Sequence, residues 1–460
     1  MVFIYRPGQT DQKSCSQSKA VGSTLLCSIN QLFHRSLSPS LPGPLSLPLL
    51  GNMLELTRDH LPNHLTSLAR RYGGIYRLHC GNTTIVVLSS AEMIREALVK
   101  KWSDFAGRPH SYTGDIVSGG GQSISLGDYS DTWRTHRRLT HSALQRCSTQ
   151  SLHSVIQKQA LNLRQVLLDY NETPVDLSED FTVAASNVIT TLVFGKEYDK
   201  SSPELQRLHG CLNEIVSLWG SSWISALDSF PLLRDEGTGG TVTASLLQSL
   251  GQPLGEKERV VVDLLIGGTE TTAAWLCWTV AFLLHRPEVQ CRVYSELCTV
   301  LDTRYPQYSD RLKLPCLSAL ISEVLRLRPV APLAVPHRAT RDSSIAGYCI
   351  PKDTIVIPNL YGAHHDPAIW TEPYDFKPER FLDGGGASTR ALLPFGGGAR
   401  LCLGESIAKM ELFLFTAYLL RDFEFLPSGN RETLPDLTGV ASVVLKVKPF
   451  QVIVRPRPFT

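Results

Sequence analysis

Apolar residues recur at helical spacing along most of this chain. Apolar positions three to four residues apart predict helices at 61–72, 91–100, 130–145, 150–169, 181–193, 203–218, 258–285, 289–301, 317–327 and 403–421. Shorter runs rich in β-branched residues predict strands at 76–79, 84–88 and 355–358, with hairpin-like strands near 441–455. The pattern therefore predicts a mainly α protein with a smaller β-rich part, an α+β fold.

The beginning of the chain lacks this periodicity. Residues 1–38 are rich in Ser and Gln and are expected to be poorly ordered. Residues 39–51 are rich in proline and predict a stiff hinge, and residues 52–460 are expected to form the folded domain. The apolar stretch Thr24–Phe33 is too short and polar for a membrane anchor, which needs about 20 apolar residues. The apolar run Ala273–Leu284 has only 12 residues and predicts a buried core helix.

Composition and charge narrow the classes of function. Hydrophobic residues make up 43% of the 460 residues, which is enough for a large core and excludes a wholly disordered chain. Lys and Arg number 45 against 43 Asp and Glu, so the net charge of +2 argues against a basic nucleic-acid binder. The 11 cysteines are odd in number and form no C-x-x-C pair, which favours a reducing compartment.

The strongest chemical signal is the run Phe395–Gly404, which ends where a helix is predicted to begin. Cys402 would then lie beside a helix N-terminus, where backbone N–H groups and the helix dipole favour a thiolate. Arg400 can neutralise a nearby anionic group, and Phe395 can shield the sulfur from water. Gly398 permits a tight turn and the close approach of a flat partner. A thiolate in such a loop is a soft ligand suited to iron.

The predicted long helix contains an unusual stretch, Gly267–Thr272, which reads Gly-Gly-Thr-Glu-Thr-Thr. Its glycines and threonines lower helix propensity, and Glu270 places an acid in an apolar run at a cost in solvation. Local rules are broken most often at functional sites. The stretch is therefore a candidate for chemistry, with a helix kink that has no chemical role as the alternative.

The run around Cys402 fits the pattern F-x-x-G-x-R-x-C-x-G and resembles the haem-binding signature of the cytochrome P450 monooxygenases. The resemblance implies the cytochrome P450 fold and a haem b whose iron is held by the Cys402 thiolate. A W-x-x-x-R motif at Trp133 and Arg137 also resembles the family. The residues implied to contact the cofactor are Phe395, Gly398, Arg400, Cys402, Trp133, Arg137, Arg108 and His337.

Two more motifs resemble those of the family. Glu323-Val-Leu-Arg326 resembles its E-x-x-R motif, whose spacing puts both charges on one helix face. Arg380 resembles the third member of that buried ion network. The stretch Gly267–Thr272 resembles the helix on the oxygen side of the haem, so Thr271 and Glu270 are implied to deliver protons during oxygen activation.

Within the family, the chain resembles the vertebrate steroid 21-hydroxylases over about residues 40–455. That resemblance implies hydroxylation of carbon 21 of progesterone and 17-hydroxyprogesterone, with O2 and with electrons from NADPH through NADPH–cytochrome reductase. It also implies the cytoplasmic face of the endoplasmic reticulum membrane, although no anchor helix is expected from this sequence. The implied steroid contacts are Val117, Ser125, Trp219, Asp263, Gly267, Ala331, Val335 and Val443.

One stretch departs from the family. Only 26 residues, 235–260, separate Arg234 from Val261. The long G helix and its connectors do not fit there at about 1.5 Å of rise per residue. The resemblance to the 21-hydroxylases implies that this helix carries the arginine that holds the 3-keto group of the steroid, so no position here inherits this role. Two alternatives stay open: another steroid hydroxylase such as a steroid 17-hydroxylase, and a haem-binding but inactive isoform.

Two weaker motifs point to other chemistry. Gly404-Glu-Ser406-Ile-Ala408 partly resembles a G-x-S-x-G nucleophile turn, but Ala stands at its last position and no strand is predicted before it. His364-His365-Asp366 offers side chains that bind metals, but adjacent residues seldom share one face of an element. Neither motif is expected to form a site.

Overall fold

A computed structural model describes residues 40–48, 50–81, 83–146, 149–219, 256–382, 386–429 and 434–458. Segment 1–38, Arg234 and most of 235–260 lie outside these ranges. The α-helices are α1 (Met53–Leu56), α2 (Leu61–Tyr72), α3 (Ala91–Arg95), α4 (Tyr112–Ser118), α5 (Asp131–Arg146), α6 (Thr149–Asp169), α7 (Ser178–Phe194), α8 (Pro203–Trp219), α9 (Glu256–His285), α10 (Pro287–Leu301), α11 (Pro315–Leu327), α12 (Leu360–His364), α13 (Gly386–Ala391) and α14 (Glu405–Asp422). A π-helix at Glu96–Lys100 and 3-10 helices at Tyr308–Lys313, Pro378–Phe381 and Gly398–Arg400 join them.

The strands form one sheet of four strands and three pairs. They are β1 (Ile75–Cys80), β2 (Thr83–Leu88), β3 (His337–Arg338), β4 (Ser343–Ile345), β5 (Tyr348–Ile350), β6 (Ile355–Pro358), β7 (Phe423–Pro427), β8 (Val440–Ala441), β9 (Leu445–Lys446) and β10 (Val452–Pro456). The larger sheet has the order β1-β2-β6-β3, in which only β2 and β6 run parallel among the described strands. The pairs are β4–β5, β7–β10 and β8–β9. The mainly helical body with a smaller β part confirms the predicted fold class.

Helix α9 lies at the centre of the largest core. It packs against α7, α11 and α14, and Trp275 and Trp278 on it are almost fully buried. The stretch Arg259–His285 is long and apolar enough to cross a membrane by length and composition, and half of its most apolar window is buried inside the protein. A helix that is apolar on all sides is typical of a protein interior. The prediction of a buried core helix at Ala273–Leu284 is confirmed, since these residues are buried.

Local signals set several helix ends. Helix α4 begins after Ser111, whose hydroxyl accepts a hydrogen bond from the Gly114 N–H at 3.0 Å, as an N-cap residue does. Pro287 and Pro315 stand at the first positions of α10 and α11, where a missing N–H costs nothing. Helix α7 ends at Gly195, which takes the left-handed conformation with φ of 67°. These ends fix the helices that surround the central one.

Most predicted elements are confirmed with shifts of a few residues at their ends, and two differ. The predicted helix 91–100 divides into α3 and the π-helix, since the Lys101 N–H donates to the Glu96 carbonyl five residues back. Strand β10 pairs with β7, placing Val452 opposite Pro427, and does not pair with the neighbouring β9. The division of the chain into a tail, a hinge and one domain stays a prediction.

Candidate active site

One cavity of about 360 Å³ lies between α9 and the loop that precedes α14. Its walls are mostly apolar, and many of the residues singled out from sequence line it. These are Arg108, Ser125, Arg137, Asp263, Gly267, Thr271, Ala331, Val335, His337, Phe395, Arg400 and Cys402. Val117 and Trp219 lie on α4 and α8, but their side chains fall outside the described residues. The remaining candidates, Trp133, Glu270, Gly398, Val443, Glu323, Arg326 and Arg380, do not line the cavity.

Cys402 lies at the end of the loop, three residues before α14 begins. Its N–H donates to the Phe395 carbonyl at 3.0 Å, which closes the loop, and its side chain is exposed to the cavity. Burial within the protein raises the pKa of the thiol, and the Gly404 N–H and Arg137 oppose this only in part. Burial therefore opposes the stabilisation of a thiolate that the sequence predicts from the helix end. A bound metal cation would supply the missing stabilisation, because coordination deprotonates a thiol.

The glycines in the cavity wall and in the Cys402 loop have different structural roles. A Cβ on Gly267 or on Gly404 would meet no atom within 4 Å, so both leave open space in the cavity. Gly398 has φ of +64°, and its Cβ would lie 1.7 Å from the Leu98 carbonyl oxygen. The sequence argument gave Gly398 two roles, a tight turn and the close approach of a flat partner. Its positive φ agrees with the tight turn, and the structure places it against the π-helix, where only glycine fits.

Three arginines, Arg108, Arg137 and Arg400, form what we call the arginine cluster. Arg400 donates to the carbonyls of Ala106 and Gly127, each at 2.8 Å, and its guanidinium lies 3.8 Å from the centre of the Trp133 ring. Arg137 donates to the Leu401 carbonyl. These contacts attach the Cys402 loop to the segment that precedes α5.

The arginine cluster carries more positive charge than its surroundings neutralise. Burial lowers the pKa of Arg108, and repulsion from Arg400 and Arg137 lowers it further, while Asp128 opposes the shift. Arg108 donates to the carbonyls of Ser125, Val335 and Pro336, which are neutral acceptors. Cations that crowd together in a partly buried place need an anion. This part of the cavity is therefore suited to a ligand with negative groups.

Trp133 and His337 stand beside the arginine cluster in different ways. The Trp133 indole N–H donates to the Ile124 carbonyl at 2.9 Å, and its ring lies under Arg400. Trp133 thus supports an arginine and does not itself reach the cavity. His337 lines the cavity, and its Nδ1 lies 2.7 Å from the Phe105 carbonyl oxygen. Burial and the nearby Arg108 hold the pKa of His337 well below its ordinary value.

The threonine stretch of α9 presents Thr271 and Thr272 to the cavity. The Thr271 hydroxyl donates to the Gly267 carbonyl at 2.6 Å. Glu270 faces elsewhere, and its carboxylate pairs with Lys446 of β9. The Thr272 hydroxyl donates to Glu411 of α14 at 2.9 Å, and Glu411 lines the cavity as well. Sequence reasoning missed Glu411, although an acid inside the apolar run 410–420 is a detectable signal.

Asp263 and Ser125 form the main polar contact between α9 and the segment before α5. The Ser125 hydroxyl donates to Asp263 at 2.5 Å, and the Ile124 N–H donates to the same carboxylate at 2.6 Å. Burial raises the pKa of Asp263, although these hydrogen bonds act against the shift. Val443 was expected among the steroid contacts, but its neighbour Val444 is the residue that turns inward and packs on the core.

Behind the cavity, Glu323, Arg326 and Arg380 meet in what we call the ion triad. Arg326 binds Glu323 through two hydrogen bonds of 2.7 and 2.8 Å, and both side chains are fully buried. Arg380 donates to the same carboxylate at 3.1 Å, and the Lys377 N–H donates to it at 2.8 Å. Arg326 also donates to backbone carbonyls, including that of His364 at 2.8 Å. The sequence motif thus forms a buried and well-paired network.

Comparison with known proteins identifies the family. A family model described as cytochrome P450 matches residues 41–238 and 253–454. The chain belongs to the cytochrome P450 family. Steroid 21-hydroxylase of Homo sapiens is 41% identical over 459 residues, which cover 89% of this chain and 92% of that protein. The Bos taurus steroid 21-hydroxylase is 39% identical over 482 residues, which cover 94% of this chain and 95% of that protein.

Solved structures agree with this membership. A zebra fish cytochrome P450 solved with abiraterone is 36% identical, with a TM-score of 0.74, and the match covers 86% of this chain and 99% of that chain. A structure solved with progesterone gives a TM-score of 0.74 at 34% identity over the same shares. This cytochrome P450 therefore has the family fold and belongs among its steroid hydroxylases.

The comparisons also bear on the short stretch 235–260. The family match is interrupted between residues 238 and 253. In the human alignment, 89% of 460 residues is about 409, against an aligned length of 459, so about 50 positions of the relative face gaps in this chain. A deletion in this cytochrome P450 is consistent with both observations.

Membership of the family implies a haem, and the cavity fits one. The Cys402 side chain is open to the cavity, Gly404 beside it leaves space, and the arginine cluster offers positive charge to anionic groups. By contrast, the His364-His365 pair serves the fold, since the His364 Nε2 lies 2.9 Å from the Leu393 N–H and the His365 Nδ1 lies 2.8 Å from the Tyr361 carbonyl oxygen. Within the described residues no cluster of His, Cys, Asp and Glu forms a metal site.

Proposed function

We propose that this cytochrome P450 hydroxylates carbon 21 of steroids such as progesterone and 17-hydroxyprogesterone, with O2 and with electrons from NADPH passed on by NADPH–cytochrome reductase. The observation that carries the proposal is a single apolar cavity that Cys402 and the threonine stretch of α9 both line. Identities of about 40% to steroid 21-hydroxylases over most of the chain support the choice of reaction.

The cofactor of the proposal is haem b, with Cys402 as the ligand of its iron. Arg108, Arg137 and Arg400 would bind its anionic groups, with Trp133 holding Arg400 in place and His337 beside them. When bound, the haem supplies the activation of O2 and the transfer of one oxygen atom to a C–H bond. The protein contributes position, charge and the exclusion of water.

The chain's own residues explain how protons and substrate would be handled. The apolar walls keep bulk water away from the reacting atoms, which strengthens each remaining polar contact. Thr271 presents its hydroxyl oxygen to the cavity, where it can accept and pass on a proton. Glu270, held by Lys446 outside the lining, would act as the outer acid of that route.

A steroid is a rigid apolar molecule with a few oxygen atoms, and the cavity matches this chemistry. Gly267, Ala331 and Val335 offer small or apolar surfaces. Asp263 and Ser125 provide the polar pair that can meet a steroid oxygen, although each already bonds the other. No position of the chain is assigned to the 3-keto group.

The proposed location is the cytoplasmic face of the endoplasmic reticulum membrane. Leucines near the start of the folded part support contact with a membrane surface, since Leu45 is 97% and Leu54 is 57% exposed, with Leu47 and Leu50 between them also exposed. Clustered exposed apolar side chains mark interaction surfaces. Vesicle flotation of the parent and of a Leu45→Asn, Leu54→Asn double variant tests this contact, and equal flotation would exclude it.

Spectroscopy and product analysis test the reaction. Reduced protein under carbon monoxide is expected to show the thiolate Soret shift, which Cys402→Ala removes and the matched Cys291→Ala, at an exposed cysteine, retains. Titration with 17-hydroxyprogesterone is expected to shift the iron spin state. Haem without that shift would favour the inactive isoform. Progesterone turnover then separates hydroxylation at carbon 21 from the 17-hydroxylase alternative.

A further inference from the structure

Glu411 is a buried acid that is 1% exposed and lines the cavity from α14. Its Oε2 accepts a hydrogen bond from the Thr272 hydroxyl at 2.9 Å, while its Oε1 is buried and has no hydrogen-bond partner among the described residues. None of the ion pairs formed within the described parts of the chain includes it, and the Thr272 hydroxyl is the one polar contact that affects its ionisation there.

Burial decides the charge of this carboxyl group. An ionised carboxylate that is removed from water without a cation nearby is unstable by several kcal/mol, so the group takes up a proton instead. Burial raises the pKa of Glu411 to about 8, and the Thr272 hydrogen bond opposes this only in part. At neutral pH Glu411 is therefore mostly an acid with an O–H to donate.

The surroundings of Glu411 differ from those of Glu270, the acid that the sequence pointed to. Glu270 pairs with Lys446 and lies outside the cavity lining. Glu411 lines the cavity and has no such partner, so a water or bound oxygen in the cavity is the acceptor left for its proton.

A second buried polar atom lies in the same lining. The indole N–H of Trp275 has no hydrogen-bond partner in the part of the chain that the structure describes, and Trp275 lines the cavity three residues after Thr272. Buried polar atoms are almost always satisfied by protein or by an ordered water. A cavity water is the simplest partner for both unpaired groups.

We propose that Glu411, in its neutral form, is a second proton donor for the oxygen chemistry of this cavity, oriented by Thr272 and linked to the reacting oxygen by water. The proposal rests on the monooxygenase function above. In the step, the Glu411 O–H bond breaks, its electron pair stays on the carboxylate, and the proton passes to a water and on to the oxygen atom that leaves as water. The carboxylate then takes a proton back from solvent through the same waters, so Glu411 is unchanged over one turnover.

The first test needs no turnover. Infrared difference spectra of haem-loaded parent and Glu411→Gln are expected to show one protonated-carboxyl C=O band, present in the parent and shifted by exchange into D2O. Glu424→Gln, which removes a carboxylate from the following strand β7, should leave the band in place. Thr272→Val should keep the band but move its frequency, because the hydrogen bond to Oε2 is lost.

The second test measures product formed per NADPH consumed. A positioned proton donor typically contributes about 10²–10⁴-fold, so Glu411→Gln should lower this ratio at least about tenfold and release more hydrogen peroxide. Thr272→Val should give a smaller loss that Thr272→Ser restores. Glu424→Gln should match the parent.

Two results would overturn the proposal: the absence of a protonated-carboxyl band that depends on Glu411, and an unchanged product ratio in a Glu411→Gln protein that keeps the carbon monoxide spectrum. A parent protein without steroid turnover would contradict the proposed function. The infrared comparison would then still decide whether Glu411 holds a proton.

Discussion

The two buried charge clusters of this cytochrome P450 are opposites. In the ion triad, one carboxylate receives hydrogen bonds from two arginines and a backbone N–H, and both Glu323 and Arg326 are fully buried. In the arginine cluster, three cations repel one another, and Asp128 is the carboxylate that opposes the pKa shifts of Arg108 and Arg400. The first cluster is complete within the protein. The second still needs negative charge.

Whether the charges of a cluster are paired distinguishes a structural cluster from a ligand-binding cluster better than its burial or its sequence motif does. Burial and motif do not distinguish the two clusters, because both contain buried arginines that belong to motifs of the family. A charge network in which every group has its partner stabilises the fold. A network with unpaired positive charge favours the binding of an anionic ligand. Four predictions follow the comparison, from the largest effect to the smallest.

Breaking the ion triad should have the largest effect. Arg326→Gln leaves the Glu323 carboxylate buried with a weaker partner, which typically costs about 3–5 kcal/mol of unfolding free energy. Urea unfolding of the haem-free protein measures it. Arg292→Gln, at an exposed pair with Glu379, is the control and should cost less than about 1 kcal/mol. Equal losses of unfolding free energy in the two variants would show that the ion triad stabilises the fold no more than an exposed ion pair does.

Two glycines near Cys402 allow the second test. Gly398→Ala places a Cβ on the Leu98 carbonyl oxygen in a left-handed conformation and should cost roughly 2–3 kcal/mol of unfolding free energy. Gly404→Ala fills open space and should leave unfolding of the haem-free protein unchanged while weakening haem binding. Urea unfolding and haem titration of both variants check this. An equal effect of the two variants on unfolding would contradict the different roles assigned to them.

A change in the arginine cluster should lower haem affinity more than stability, which is the reverse of the effect expected for the ion triad. Arg137→Gln removes one charge-assisted contact to an anionic ligand, so haem affinity should fall about tenfold. The contact to the Leu401 carbonyl is weakened while a like charge is removed, so the unfolding free energy of the haem-free protein should change by no more than about 1 kcal/mol. Haem titration and urea unfolding separate the two effects. A large loss of stability without haem would show that the cluster is structural after all.

Glu411 extends the comparison to an unpaired acid, and its effect should be gradual and small over any single pH unit. Its pKa is about 8 in the folded protein against an ordinary 4.5. Because the folded state holds the proton more tightly, the contribution of Glu411 is complete below pH 4.5 and is lost as the pH rises through about 8. Unfolding free energy should therefore fall by about 1.4 kcal/mol per pH unit in that interval. Glu411→Gln should remove this slope, which urea unfolding at several pH values measures.

The features that could be predicted from the sequence are those whose residues lie close together along the chain. The Cys402 loop and the Glu323–Arg326 pair each lie within ten residues, so their geometry follows from a loop and one helix face. The long helices followed from periodicity. The short elements α1, α12 and β8 are too brief to show a period.

Contacts between distant segments could not be predicted. The pairing of Glu270 with Lys446, and of Thr272 with Glu411, depends on packing across more than 100 residues of chain. The same holds for Gly398, whose need for glycine comes from the Leu98 carbonyl oxygen. The thiol of Cys402 shows a related limit, since the helix end was visible in the sequence but the opposing burial was not.

The contacts of Arg400 also constrain when the cofactor can be captured during synthesis. Arg400 holds the carbonyls of Ala106 and Gly127, which are 294 and 273 residues earlier in the chain. Proteins are made from the N-terminus, at about 5–20 residues per second. The part of the cavity lining that contains Arg108 therefore leaves the ribosome many seconds before Arg400 and Cys402 are synthesised. With Cys402 as the proposed haem ligand, haem capture would be a late event of biogenesis, and a ribosome that stalls before residue 400 would leave a nascent chain without the proposed cofactor site.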